Sequence, residues 1–187
     1  MYYLGIDTTN KYLIVSIFND DQVLYFYQAD SNRNVSELAN VEIAEAFDSL
    51  DLSPSDLKAI VVTRGPGSFT GVRIGLTIGK VMATTLDIPL FSLSSLQYYA
   101  GLSTSNVILD ARSKKVFLGR FDQGQEISEK HVLVSDLDPT LNYIGDLQVI
   151  DKELEYGDLS ENFLLLKDKY KLESSLDAKP EYMKDSI

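Results

Sequence analysis

The first third of the chain alternates apolar and polar positions with a period of two, which is typical of β-strands. Turn-forming residues interrupt the alternation twice, at Thr8-Thr9-Asn10 and at Asn19-Asp20-Asp21. Connections this short join antiparallel neighbours. The pattern therefore predicts three hairpin-linked strands at residues 3–7, 12–18 and 22–28.

Helical periodicity begins at residue 34 and continues to residue 50. One apolar row recurs at spacings of three and four, and a second row lies beside it, whereas a surface helix usually has a single stripe. The two rows predict a helix that is buried on two sides, within the fold or against another chain. The first row is Val35, Ala39, Ile43, Ala46 and Leu50, and the second is Leu38, Val41, Ala44 and Phe47.

A continuous apolar run at residues 57–63 predicts a fourth strand that is covered on both faces. A glycine-rich loop follows, then a helix at residues 69–86 and a fifth strand at 90–93. The order β-β-β-α-β-α-β predicts an α/β lobe with a mixed sheet at residues 1–102.

A smaller second lobe is predicted at residues 103–187, with strands at 107–110, 116–121 and 130–134, a weaker strand at 148–150 and a helix at 160–170. Both halves contain an apolar strand that ends in an aspartate, Asp7 or Asp110, then a short polar turn and a second strand. This shared plan indicates two related halves.

The loop "RGPGSFTG" has the setting of a phosphate-binding loop but not its spacing. Gly65, Gly67 and Gly71 fit neither the Walker motif nor the dinucleotide fingerprint. Amides at a helix start can still hold an anion weakly; alternatively, the glycines only form the turn. Asp7 and Asp110 could face a shared cleft, as metal-bound phosphate chemistry requires, or could simply be turn formers.

Gly71, Gly75, Gly79 and Ala83 lie on one line of the second helix, and we call them the glycine line. A glycine inside a helix costs about 1 kcal/mol relative to alanine. Small residues in a line let another element approach closely. That element is either the protein's own sheet or first helix, or a second chain.

Composition narrows the chemistry further. The net charge of −11 opposes direct contact with nucleic acid, because such contact depends on lysine and arginine. The chain has no cysteine and one histidine, His131, so neither a metal site nor a Ser-His-Asp triad is expected. No apolar run reaches the length of a membrane span, and no signal peptide is expected. We expect a cytoplasmic protein.

Four segments carry a resemblance that spans essentially the whole chain. "GIDTT" at residues 5–9, "RGPGSFTGVRIG" at 64–75, "LDARSKKVF" at 109–117 and "KPEYMK" at 179–184 resemble the TsaB (YeaZ) family. The resemblance implies an actin-like ATPase fold with two ribonuclease-H-like lobes, the second reduced. It also implies a role in forming N6-threonylcarbamoyladenosine in tRNA.

By the same resemblance, the chain would be a non-catalytic scaffold that binds the transferase TsaD, with the ATPase TsaE as a third component. It would form a homodimer when alone, meet tRNA only indirectly and hold no cofactor firmly, with ATP expected at most at the partner complex. The family's contact uses the first two helices. The corresponding interface residues are Leu38, Val41, Gly71, Gly75, Ile78, Gly79, Met82 and Ala83.

The sequence departs from the family pattern at Val35-Ser36-Glu37, where members often have His-Ser-Glu. The alternative function is an actin-like ATPase or kinase that uses Asp7 and Asp110 around a metal–nucleotide. A vestige of such a site would comprise Asp7, Thr8, Gly65, Gly67 and Asp110. The imperfect phosphate loops and the short second lobe favour the scaffold.

Overall fold

Two β-sheets, one of six strands and one of four, form the frame of the protein. The computed structural model describes residues 1–30, 34–153, 156–174 and 177–182. Strands and α-helices are numbered in chain order.

The six-stranded sheet belongs to the first lobe. Its first three strands form the predicted antiparallel meander, and the next two run parallel to the first. The strand order is β10-β5-β4-β1-β2-β3. The strands are β1 (Tyr2–Asp7), β2 (Tyr12–Phe18), β3 (Val23–Asp30), β4 (Leu57–Thr63), β5 (Leu90–Leu93) and β10 (Lys171–Glu173).

Helices cover both faces of this sheet. α1 (Val35–Ser49) and α2 (Phe69–Leu86) pack on one face, and α3 (Ser95–Ala100) and α4 (Asn162–Leu165) pack on the other. α2 has the bounds that its periodicity predicts. It begins where the Ser68 side chain accepts a hydrogen bond from the amide of Gly71 at 3.2 Å, which is an N-cap.

The second sheet repeats the topology of the first on a smaller scale. Its first three strands are an antiparallel meander, and the fourth runs parallel to the first of them. The order β8-β7-β6-β9 matches β3-β2-β1-β4 of the first sheet. The two halves are therefore related, and the fold is the α/β, two-lobed actin-like (ribonuclease-H-like) fold. The strands are β6 (Ser105–Asp110), β7 (Lys115–Asp122), β8 (Gln125–Leu133) and β9 (Ile144–Gly145).

The predictions were less accurate in the second half. The weak strand at 148–150 is wrong, because Leu147–Ile150 forms a 3-10 helix. The helix at 160–170 is reduced to α4 and a 3-10 turn at Lys167–Lys169. β10 leaves the second lobe and pairs antiparallel with β5 at the edge of the first sheet. The residues after the second sheet thus return to the first lobe.

The glycine line faces the protein's own sheet. A Cβ atom on Gly79 would lie 2.7 Å from Cγ1 of Val62 and 3.1 Å from Cδ1 of Leu90, and a Cβ on Gly75 would lie 2.5 Å from Oγ1 of Thr8. A Cβ on Gly71 would collide with the Thr8 carbonyl, and Ala83 is buried in the same core. The assignment of Gly71, Gly75, Gly79 and Ala83 to a partner interface was therefore wrong. Small residues there let α2 approach the sheet and the β1–β2 turn.

Replacing Gly79 by leucine should destabilise the fold. The added side chain has no room against β4 and β5, and overpacking of this kind costs about 1–3 kcal/mol. The gain in helix propensity, less than about 1 kcal/mol, does not offset it. Thermal melting of Gly79→Leu, with the exposed Thr84→Leu on the same helix as control, measures the effect. A melting temperature unchanged in Gly79→Leu would contradict this packing.

One contact between the two lobes joins β8 to the N-cap of α3. Glu129 on β8 is partly buried and accepts a hydrogen bond from the Ser94 hydroxyl, the N-cap of α3, at 2.7 Å. Burial raises the pKa of Glu129 to about 7; the Ser94 bond and the nearby Arg64 act against this rise, while Glu126 and Glu181 add to it. At neutral pH this lobe contact therefore contains a carboxyl group close to its titration point.

The Glu129→Gln variant should change how stability depends on pH. The folded-state pKa is raised above the ordinary 4.5, so the proton is held more tightly in the fold. Protonation of Glu129 therefore adds to the free energy of unfolding. This contribution is complete below about pH 4.5 and is lost as the pH rises through about 7. Glu129→Gln should match the wild type at pH 4.5 and exceed it at pH 8 by on the order of 1–3 kcal/mol. Urea unfolding at both pH values tests this, with the exposed Glu153→Gln as control. Equal wild-type and Glu129→Gln stabilities at pH 8 would refute it.

Candidate functional site

A cleft of about 1200 Å³ lies between the two lobes. The β1–β2 turn, the start of α2 and the β6–β7 turn form its walls. Of the residues predicted for a vestigial nucleotide site, Thr8, Gly67 and Asp110 line the cleft. Asp7 and Gly65 do not line the cleft.

Asp7 is fully buried, and both of its carboxylate oxygens are engaged within the fold. Oδ1 accepts hydrogen bonds from the Thr9 amide at 3.0 Å, the Thr9 hydroxyl at 2.6 Å and the Thr63 hydroxyl. Oδ2 accepts one from the Tyr99 hydroxyl at 2.6 Å. Burial together with the Asp7 charge raises the pKa of Tyr99, which keeps that hydroxyl a donor. Of the two interpretations of Asp7, the cleft residue is wrong and the turn former agrees with the Thr9 amide bond; the remaining bonds join β1 to β4 and α3.

The β1–β2 turn is bonded directly to the start of α2. The Thr8 hydroxyl donates to the carbonyl oxygen of Gly71 at 2.7 Å, and the Ser68 amide donates to the carbonyl oxygen of Thr9 at 2.6 Å. The carbonyl oxygens of this turn point toward the helix start. A phosphate there would meet partial negative charge as well as helix amides.

Gly65 forms a turn, which is one of the two roles that the sequence predicted for the glycines of this loop. Its φ of +108° is a conformation that other residues rarely adopt. A Cβ atom there would lie 2.7 Å from the carbonyl oxygen of Glu181. Gly65 is therefore required by the segment that crosses it and does not contribute to the cleft.

A hydrogen-bond network that no sequence pattern predicts lies at the cleft. Asp146 is buried, accepts from the Asn10 side chain at 3.2 Å and from the Tyr156 hydroxyl, and accepts from the amide of Asp110 at 2.8 Å. Burial and the Asp146 charge raise the pKa of Tyr156. Asn10 belongs to the first lobe and Asp146 to the second, so the network joins them. Asp146 follows the two-residue strand β9 in a segment without clear periodicity, and no pattern singles it out.

The residues of the cleft do not fit a metal–nucleotide centre. Asp7 and Asp146 are engaged by neutral donors of the fold. Asp110 accepts from the amide of Arg112 at 2.7 Å and pairs with its guanidinium at 3.5 Å. Across the described part of the chain, no three histidine, aspartate or glutamate side chains are grouped to hold a metal ion.

A second surface lies on the outer side of α1 and α2. The two helices enclose a groove of about 370 Å³. Beside it, Val41 on α1 is 56% exposed and Val81 on α2 is 60% exposed. We call the groove and these two valines the outer helix face. The groove is lined by Ser36, Asn40, Phe69, Thr70, Arg73, Ile74, Thr77 and Ile78.

Two of the four remaining predicted interface residues lie on the outer helix face, and two lie beneath it. Val41 and Ile78 lie on it, whereas Leu38 and Met82 are partly buried against the core beneath the two helices. The face also has a charge pattern. The exposed charges of α1 are acidic, at Glu37, Glu45 and Asp48, whereas α2 carries only basic charges, at the exposed Arg73 and the partly buried Lys80. The fourth acidic residue of α1, Glu42, is buried and accepts a hydrogen bond from the Tyr25 hydroxyl.

Comparison with known proteins places the chain in a family. Residues 29–149 match the family model described as "TsaD: tRNA N6-adenosine threonylcarbamoyltransferase". The tRNA threonylcarbamoyladenosine biosynthesis protein TsaB of Bacillus subtilis is 35% identical over 73% of this chain and 64% of its own length. The chain belongs to the TsaB (YeaZ) family. TsaB of Escherichia coli is 26% identical over 67% of this chain and 57% of its own length.

A solved structure shares the fold over the whole chain. It is an uncharacterised Pseudomonas aeruginosa protein similar to the peptidase YeaZ, with a TM-score of 0.82 and 19% identity, covering 98% of this chain and 99% of that one. The alignments with the two TsaB proteins above cover only about three fifths of their lengths. Among the described residues, none of the helices has the length and apolar character needed to cross a membrane.

Replacing Asp7 by asparagine should destabilise the fold. In asparagine an NH2 group, which can only donate, takes the place of one of the two oxygens that accept hydrogen bonds in Asp7. It would face the hydroxyl or amide donors of the fold, and a buried polar group without a partner costs about 1–3 kcal/mol. Asp110→Asn, in a partly exposed position, should stay within about 0.5 kcal/mol of the wild type. Urea unfolding compares the two variants. If Asp7→Asn were as stable as Asp110→Asn, Asp7 would not be a structural residue.

Proposed function

We propose that this chain is a non-catalytic subunit that binds a TsaD-type threonylcarbamoyltransferase and supports formation of N6-threonylcarbamoyladenosine in tRNA. The observation that carries the proposal is the engagement of Asp7. The carboxylate that would have to face the cleft for metal–nucleotide chemistry is bonded on both oxygens within the first lobe.

The family comparison supports the choice of partner. The relatives are named as threonylcarbamoyladenosine biosynthesis proteins, and the matching model is named for the transferase itself. The matched residues 29–149 include both α1 and α2. A TsaD-type chain would accordingly have an equivalent helix pair, and two such chains can pair about an approximate two-fold axis.

The charges of the outer helix face suit that arrangement. In a two-fold pairing whose axis runs along the helices, α1 of one chain lies on α2 of the other. Because α1 is acidic and α2 basic, each contact would bring opposite charges together. The same face would serve a homodimer in the absence of the transferase.

The remaining partners follow from this role. A TsaE-like ATPase would join the complex, and any ATP would be held there and not by this chain alone. With a net charge of −11 the chain would meet tRNA only through the complex. The reaction would take place in the cytoplasm.

Charged substitutions on the outer helix face should abolish the complex and leave the fold intact. We expect the double variant Val41→Glu/Val81→Glu to weaken binding of the TsaD-type protein of the same organism at least about 10-fold, since two apolar contacts would be replaced by carboxylates that must lose their hydration on binding. Both side chains are more than half exposed, so the melting temperature should not change. Isothermal titration of the purified proteins measures the affinity.

Ile127→Glu is the matched control, because Ile127 is an exposed apolar residue on β8 of the second lobe. It should bind as the wild type does. Absence of a complex with the wild-type chain would refute the proposed function. Equal affinities for the wild type and the double variant would place the contact elsewhere.

A further inference from the structure

Residues 177–182, which we call the strap, run beside α2 from Lys80 to the first turn of the helix and beside the loop that precedes it. The Ala178 side chain is buried in the core, and the Ala178 carbonyl accepts a hydrogen bond from Nζ of Lys80 on α2 at 3.3 Å. The Glu181 amide donates to the carbonyl oxygen of Arg64 at 2.8 Å, and the Glu181 carboxylate accepts from Nε of Arg64 at 2.6 Å. These contacts fix the path of the strap at both ends.

The strap places Tyr182 at the first turn of α2. Its ring stacks on Phe69 with centroids 5.6 Å apart and an interplanar angle of 25°. Nε of Arg73 donates to the Tyr182 hydroxyl at 3.1 Å, and the Arg73 guanidinium lies 3.8 Å from the Phe69 ring centroid. These three residues form what we call the aromatic stack.

The aromatic stack is ordered but open to solvent. Phe69 is 56% exposed and Tyr182 is 51% exposed. Tyrosine and arginine are enriched among the residues that dominate binding energies, and aromatic residues are enriched at interfaces generally. Their mutual contacts also reduce the conformational freedom that binding would otherwise remove.

The stack is continuous with the outer helix face. Phe69 and Arg73 line the groove between α1 and α2, so Tyr182 extends that surface beyond the two helices. Arg73 is also one of the two basic residues of α2, the helix that would meet an acidic α1 in a chain of the same fold. The matched family model covers both helices.

We propose that the strap completes the docking surface for a TsaD-type partner, with Tyr182 as an anchor residue held in place by Phe69, Arg73 and the Arg64–Glu181 ion pair. This inference depends on the proposed function and adds a third element to its interface. Phe69 and Arg73 hold the Tyr182 ring, and the ring itself contacts the partner.

The experiment is a titration of the full chain with the TsaD-type protein of the same organism. Tyr182→Ala removes the ring and should weaken binding at least about 10-fold with an unchanged melting temperature. Tyr182→Phe keeps the ring on Phe69 and loses only the bond from Arg73, so its affinity should stay within about threefold. Leu172→Ala, an exposed apolar residue on β10, is the control and should have no effect.

Hydroxyl-radical footprinting of the wild type provides a second measurement. Phe69 and Tyr182 should lose reactivity when the TsaD-type protein is added, and Ile127 should not. Unchanged reactivity of Tyr182, or wild-type affinity of Tyr182→Ala, overturns the inference. If Val41→Glu/Val81→Glu still abolishes binding in that case, the proposed function stands without the strap.

A second copy of the chain is the competing occupant. Protection of Tyr182 that grows with the concentration of the chain alone, and that added TsaD-type protein does not increase, would assign the stack to self-association. That result would overturn the partner named here.

Discussion

The buried carboxylate of Asp7 is the interaction on which the first lobe depends. An ion in the protein interior is tolerated only when hydrogen bonds replace its hydration. Donors from the β1–β2 turn, from β4 and from α3 do so here, through Thr9, Thr63 and Tyr99. The same bonds decide what the cleft can do, since a carboxylate that holds three segments together is not available to a ligand.

The glycine line has a corresponding effect on α2. Gly71 and Gly75 bring the first turns of the helix against Thr8, and Gly79 brings its middle against Val62 and Leu90. All four residues of the glycine line lie on the inner side of the helix, so the outer side consists of larger side chains. A contact with another chain therefore has to depend on side chains that protrude, such as Val41 and Val81, and not on close approach of backbones.

The sequence predicted the first lobe better than the second for physical reasons. Its strands and two long helices have regular periods, and α2 was predicted to the residue. α3 has six residues and β9 has two, too few to show a period. For the glycine line, spacing alone left two packing partners open, because an approaching sheet and an approaching helix require the same small residues. Asp146 and Tyr156 are brought to Asn10 by the tertiary fold, across more than 130 positions of chain.

The area of the outer helix face is small, and the strap adds to it. At 1.5 Å per residue, α1 and α2 are about 22 and 27 Å long, and packed helices lie about 8–10 Å apart. Their joint outer side is a strip of about 500 Å², while a stable interface uses about 800 Å² on each partner. The two helices alone therefore offer less surface than a stable complex needs. The aromatic stack lies at one end of the same strip, where Tyr182 adds an exposed ring that neither helix could supply. The strap therefore enlarges the exposed apolar surface at the end of the strip where Phe69 and Arg73 line the groove.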